Sequence, residues 1–255
     1  MKLPALRSLV PLSAALVMAG CATVPGDPDP RDPFEGLNRT IYEVNTQVDR
    51  HVLIHVATAY RDVVPPPVRS CVHNFFGNLR DLWSAANSFL QLRVPDGING
   101  VGRVLMNTTV GGLGCFDPAS QVGVARNSND FGITLGVWGL GSGPYLVLPL
   151  LGPSSVRDGT GMVADFYGNV LSYSDSVRFK NTMRGISLVD QRASLIEAVE
   201  MVNDLALDPY SFVRDAYLQR RQQKVMGADG DPTLPDYSLP DDDPEPAVPT
   251  GTGSQ

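Results

Sequence analysis

Residues capable of chemistry are present in this chain, but they are not spaced for it. His51 and His55 lie four apart, the interval at which two helical imidazoles can face one metal ion. The glutamate that a zinc-protease helix carries between its histidines is missing, and no third ligand follows nearby, so two interfacial histidines are the simpler reading. His73 has no serine or cysteine motif to make it a general base. Cys71, two residues before it, points to a different side of a helix and suits a core better than a nucleophilic site. The run Gly139-Leu-Gly-Ser-Gly-Pro144 lacks the spacing of a nucleophile elbow, and no glycine-rich run ends in the Gly-Lys of a phosphate loop. Carboxylates are numerous but scattered, so no two pair as acid and base. The pattern points away from an enzyme, a metal site and a bound cofactor.

One cysteine does have a motif around it. Residues 1–20 place Lys2 and Arg7 before an apolar stretch from Leu9 to Ala19, with Gly20 directly before Cys21. This reads as a signal peptide rather than a membrane anchor. Val17-Met-Ala-Gly-Cys21 resembles a bacterial lipobox, with Met18 where leucine is more usual. Cys21 is therefore expected to be lipidated. Each buried methylene contributes about 0.8 kcal/mol, so a triacylated cysteine would be a stable anchor. Ala22 follows, where aspartate would signal inner-membrane retention, and the expected address is the outer membrane on its periplasmic side. Cys71 and Cys115 remain; in an oxidising compartment they either form a disulfide or stand as two buried small hydrophobes.

The formal charge of −7 belongs mostly to the ends of the chain. The stretch from Ala228 onward holds seven acids and no base, whereas Pro33 to Gly227 holds 17 of each sign. A neutral body does not favour nucleic acid, which binds chiefly through basic patches. Only Lys180 and Lys224 among those 17 cations are lysines, and arginine is the better partner for phosphate in partly dry surroundings. Ordinary ion pairing would account for that bias equally well.

Any site must be positioned by helices. Residues 21–32 are dense in proline and acid and read as a flexible tether, and 228–255 read as a disordered acidic, proline-rich tail. Between them, 33–227 form one mainly α domain. Leu37, Ile41, Val44 and Val48 recur at helical spacing, and a second helix runs from near Val52 to before Pro65. From Val68 to Leu90 apolar residues cover a face broad enough for a core or for lipid tails. Val94-Pro-Asp-Gly97 reads as a turn, followed by a helix from Ile98 to Val110. Asn129 or Asp130 can cap a segment into Trp138, and Ser154 can cap a helix running from Val156 to Leu171, loosened by Gly159, Gly161 and Gly168. A long helix is expected from Leu188 to Leu207, and a last one after Asp208-Pro209.

The centre of the pattern is a short hairpin or loop at 139–153. Its apolar run from Tyr145 to Leu151 lies between two Gly-Pro pairs and is too short to span a bilayer, which takes about 20 residues. Pro149 inside it argues against a helix. The run is either a buried plug or a stiff loop facing acyl chains. With Arg103-Val-Leu-Met-Asn-Thr-Thr-Val-Gly111 before it, Asp32-Pro-Phe-Glu-Gly-Leu-Asn-Arg39 near the start and Asp208-Pro-Tyr-Ser-Phe-Val-Arg-Asp-Ala-Tyr217 near the end, the sequence from Asp32 to Arg221 resembles the MlaA (VacJ) family of outer-membrane lipoproteins.

That resemblance implies a helical ring with a central amphipathic channel, in a protein that removes phospholipid from the outer leaflet and passes it to a soluble periplasmic carrier, maintaining lipid asymmetry. It also implies a porin trimer as partner. Trp138, Tyr145, Leu146, Leu148, Leu150 and Leu151 are the expected lipid-contact or channel residues. The alternative is an anchored scaffold that docks a porin or another envelope protein without moving lipid.

Overall fold

The computed structural model describes residues 29–227. The signal segment, Cys21 and the acidic tail lie outside the described residues. The rest is mostly helical with one small antiparallel hairpin.

Helix α1 (Glu35–Val48) continues through a single π-turn (Asp49–Leu53) into α2 (Ile54–Val63), so the two expected helices are one continuous helical segment. The proline triplet ends it. Pro66 and Pro67 then open α3 (Pro66–Leu90), because the first turn of a helix has no partner for a backbone N–H and loses nothing to proline. Helix α4 (Val94–Thr109) takes in the expected turn at Val94–Gly97 and so starts before Ile98, since Pro95 also falls within its first turn. It packs along α3. Cys71 near the start of α3 is joined by a disulfide to Cys115 in the glycine-rich loop after α4.

A short helix, α5 (Pro118–Gln121), is capped by the Asp117 side chain, and α6 (Phe131–Val137) by Asp130, which accepts from the Ile133 N–H at 2.9 Å. Strands β1 (Tyr145–Leu148) and β2 (Gly152–Ser155) form the hairpin. Helix α7 (Val156–Gly168) is capped by Ser155, not by Ser154, and stops where Asn169 accepts from Leu171 N–H to open a 3-10 turn (Val170–Tyr173). Gly161 does not loosen α7. A Cβ there would stand 2.6 Å from the Gly132 nitrogen, so the glycine lets α6 and α7 cross backbone to backbone.

The long helix expected from Leu188 to Leu207 is two helices. Helix α8 (Val177–Ser194) ends where the Ser194 hydroxyl bonds back to Gln191 O at 2.9 Å, and α9 (Ile196–Leu205) begins after the non-helical Leu195. Helix α10 (Pro209–Met226) is capped by Asp208 and closed by Gly227 in the left-handed region, while Arg93 donates to the final carbonyls of Lys224 and Val225.

The apolar core is small. Tyr145, Val147 and Tyr210 are buried together, with Ile41, Tyr42, Tyr217 and Leu218 packed around them. The tether boundary expected at residue 32 falls too late: Asp29 pairs with Arg31 and Arg214, and Asp32 is buried. Asp29 lies between two arginines, and Asp32 accepts from the Tyr210 hydroxyl beside Arg214, so both have more to gain by packing than by solvation.

Candidate functional site

Two neighbouring regions hold the residues of interest, the hairpin and the inward face of α3. In the hairpin Tyr145 pairs with Ser155, Leu146 with Ser154, Val147 with Pro153 and Leu148 with Gly152. Successive side chains alternate, so Tyr145 and Val147 are buried while Leu146 and Leu148 are half-buried. The outer edge of β1 is bonded by two asparagines seven apart on α1, two helical turns and roughly 10 Å. Asn38 accepts from Val147 N–H at 2.9 Å and donates to Tyr145 O at 3.0 Å; Asn45 accepts from Leu150 N–H at 2.8 Å and donates to Leu148 O at 3.0 Å. The second pair holds Leu150 at φ 63°, a conformation that disfavours a leucine.

Beneath the hairpin the polar groups are tied to α10. Asp32 accepts from Asn38 at 2.7 Å and from the Tyr210 hydroxyl. Asp158 accepts from Tyr217 at 2.7 Å and from Arg221 at 2.8 Å, and Arg221 also grips Asp130. Burial pushes the Tyr210 and Tyr217 hydroxyls well above the usual phenol range, and their carboxylate acceptors push the same way. They are donors throughout ordinary pH.

The second region reverses the usual order of burial. Along α3 the buried positions are Phe76, Gly77, Asn78, Asp81, Ser84, Ala85, Asn87 and Ser88, while Val68, Leu82, Phe89 and Leu90 face out. On α4 the buried residues are Gly97, Arg103 and Asn107, with Ile98, Val101 and Leu105 exposed. The inward groups bond one another. Arg103, 1% exposed, donates to Asp117 at 2.7 Å, and Arg126 donates to Asp81 at 3.2 Å. Asn107 donates to Asp117 at 2.9 Å, and Thr134 to Asn87 at 2.8 Å.

The expected lipid-contact residues are not one set. Leu150 and Leu151 at the hairpin tip are 67% and 69% exposed, and Trp138 is exposed with its indole N–H on Leu90 O at 3.0 Å. Leu146 and Leu148 are half-buried. Tyr145 is not at the surface: it is fully buried against Tyr210 and Tyr217, because the strand alternation that exposes its neighbours turns its ring inward. His51 donates from Nδ1 to Gln47 O at 2.8 Å, and His73 sits 3.1 Å from Asp190. Among the described residues no three His, Cys, Asp or Glu side chains gather as metal ligands. The polar face of α3 was missed by reading that helix for its apolar residues. Its signal was legible in Asn78, Asp81, Ser84, Asn87 and Gln91, polar side chains at steps of three and four.

Residues 30–224 match the family described as MlaA lipoprotein. The chain belongs to that family. It is 37% identical over 221 residues to the intermembrane phospholipid transport system lipoprotein MlaA of Escherichia coli (strain K12), spanning 84% of this chain and 86% of the relative. The Haemophilus influenzae protein of the same name is 32% identical over 246 residues, 92% and 95% of the two chains. An uncharacterized Rickettsia bellii protein is 33% identical over 208 residues, 81% and 82%. A solved structure described as the structural basis for maintenance of bacterial outer membrane lipid asymmetry shares 35% identity at a TM-score of 0.67, covering 76% of this chain and 98% of that one. The mainly helical MlaA fold and the phospholipid-transport lipoprotein family are thereby established for this sequence.

Proposed function

We propose that this chain is an outer-membrane lipoprotein, anchored through Cys21 on the periplasmic side, that takes phospholipid from the outer leaflet and passes it to a soluble periplasmic carrier. It does so without bond-breaking chemistry. The observation that carries this reading is the inverted burial. Among the described residues nine apolar side chains are buried against nineteen polar or charged ones, while large apolar residues cover the outside of α3, α4, α7 and α9. Such a surface is costly in water and suits hydrocarbon or an apolar protein face such as a porin trimer. No helix among the described residues is long and apolar enough to cross a membrane.

A polar interior inside an apolar shell is also what a lipid conduit needs. Two acyl tails hold about 30 methylenes and cost on the order of 20 kcal/mol to expose, while the headgroup cannot enter an apolar cavity unpaired. A helical ring that is apolar outside and polar within lets each part of the lipid keep its own solvent. Half-buried Leu146 and Leu148, exposed Leu150 and Leu151, and Trp138 are placed to meet the tails in this reading.

The test is the fate of phospholipid on the purified, acylated protein. Co-purification of intact phospholipid, and its release to a periplasmic extract, is the expected result. Free fatty acid would indicate a phospholipase. Neither would leave an anchored scaffold that docks a porin without moving lipid.

A further inference from the structure

Arg80 stands out on the inward face of α3. Its neighbours one turn away on either side, Phe76 and Ser84, are 4% and 5% exposed, and Asn87 two turns on is fully buried. Residues at these spacings share one helix face. Arg80 is nonetheless exposed to solvent. Arg80 therefore reaches solvent from within a stripe whose other members are buried. The coverings on either side agree with this. Toward the start of α3, His73 is met by Asp190 of α8, and toward its end Ser84 accepts the Asn129 N–H and donates to Asn127 O. Arg80 lies between the two coverings.

Its charge is also in excess. Arg103 and Arg126 share two carboxylates, with Asp81 at 3.5 and 3.2 Å and Asp117 at 2.7 and 3.5 Å. Two anions balance two cations there. Arg80 has no ion pair or hydrogen bond among the described residues. Arg126 lies beside it: its guanidinium crosses Gly77, one turn before Arg80, so closely that a Cβ on Gly77 would be 2.9 Å from it. Burial, and then Arg126, draw the Arg80 guanidinium below its usual value, against the weaker pull of Asp81 and Asp190. A solvent-reaching cation without a counter-ion, next to a second guanidinium, is a receptor for an anion.

We propose that Arg80, with Arg126 beside it, is the contact for the phosphodiester of a phospholipid headgroup inside the protein. This rests on the transport reading above and adds to it the chemical class recognised. Planar donors suit phosphate oxygens, and a single net positive charge matches the single charge of a phosphodiester. Inorganic phosphate offers the same oxygens, so the experiment must tell the two apart.

The full acylated chain is reconstituted into vesicles of phosphatidylethanolamine and phosphatidylglycerol, re-extracted in detergent, and assayed for phospholipid retained per protein. Arg80→Gln should retain about tenfold less than wild type, the loss of roughly one charge-assisted hydrogen bond. Arg80→Lys should recover part of it, and Arg178→Gln on the exposed side of α8 should retain the wild-type amount. Thermal midpoints of all four proteins should agree. If the midpoint of Arg80→Gln falls, Arg80→Lys decides: a normally folded lysine variant that retains less lipid than wild type supports the proposal, and full wild-type retention overturns it. Wild-type retention by a folded Arg80→Gln overturns the proposal and leaves the transport reading standing, whereas a wild-type protein that retains no phospholipid removes both. If inorganic phosphate binds the lipid-free wild type through Arg80 while lipid retention is the same in Arg80→Gln, the site serves free phosphate and the lipid assignment fails.

Discussion

Around the hairpin, Tyr145, Val147 and Tyr210 are buried and their polar neighbours are bonded to α1 and α10; along α3 and α4 most of the buried side chains are asparagine, aspartate, serine and arginine, with Phe76 and Ala85 among them, and valines and leucines face out. The first region keeps an apolar centre with bonded polar groups around it. The second buries polar groups whose bonds to one another offset their desolvation, and leaves its large apolar side chains outside, the order that suits the apolar surrounding proposed above. One chain thus solves two solvent problems, and the two halves should respond differently to the same kind of substitution.

The contrast would break first at Arg221, which ties α10 to Asp130 on α6 and to Asp158 on α7. Arg221→Ala leaves two carboxylates without their shared cation and should cost about 3–5 kcal/mol in denaturant unfolding, with detergent present or absent. Replacing Cys71 and Cys115 together by alanine opens the cross-link over a sequence separation of 44 and should cost about 3 kcal/mol, confined to the α3–α4 half. Proteolysis of the 110–117 loop is the local readout.

Acid should act on both halves, but through a few carboxylates. A hydrogen bond from Arg31 holds Asp29 at about 2 against burial, and one from Arg39 holds Asp208 lower still. At Asp117 burial pushes up, but Ser120 and Asn107 outweigh it and bring it to about 2. These folded values lie below the ordinary 3.8, so the stability they contribute is complete above that value and is lost as pH falls toward 2. The thermal midpoint should be level from pH 7 to about 5 and fall below about 4.

A finer test is Tyr145→Phe. The Tyr145 hydroxyl is buried without a hydrogen-bond partner among the described residues, so removing it should stabilise the protein by about 1 kcal/mol, an inversion of the usual loss on substitution. Smallest of all is Leu82→Ser on the outer face of α3. It should change unfolding in detergent by less than about 0.5 kcal/mol, while weakening association with lipid vesicles. A loss of several kcal/mol there would show that Leu82 packs against protein, and the two halves would no longer differ.

Much of this was legible before the structure. The helical content and the caps at Asp130 and Asp208 follow from spacing and capping chemistry that act within a few residues, and the hairpin or loop expected at 139–153 is a hairpin that starts later and ends later, at Tyr145–Ser155. The break at Leu195 was not legible, because the apolar period carries through it and only the Ser194 hydroxyl interrupts the backbone. At Asp49–Leu53 the pattern reads instead as a break between two helices, where the chain continues through a π-turn. Burial was hardest to read. Tyr145 and Leu146 look alike as apolar residues in one run, and strand alternation alone separates them. Along α3 the habit of placing apolar residues inside gives the wrong face, since what decides is the solvent outside the protein, which the sequence does not state.

The two asparagines on α1 have a consequence for the time before any apolar surface is covered. A two-stranded hairpin has bare edges, and a bare edge is where another chain can add a strand and begin an aggregate. Here Asn38 and Asn45 take up the donors and acceptors on the outer side of β1, and Pro153 removes a donor from β2. A molecule whose outside is this apolar can still associate through its side chains, but its hairpin offers little backbone to join. Such association stays loose and reversible instead of growing as cross-β, and a detergent or a membrane can undo it.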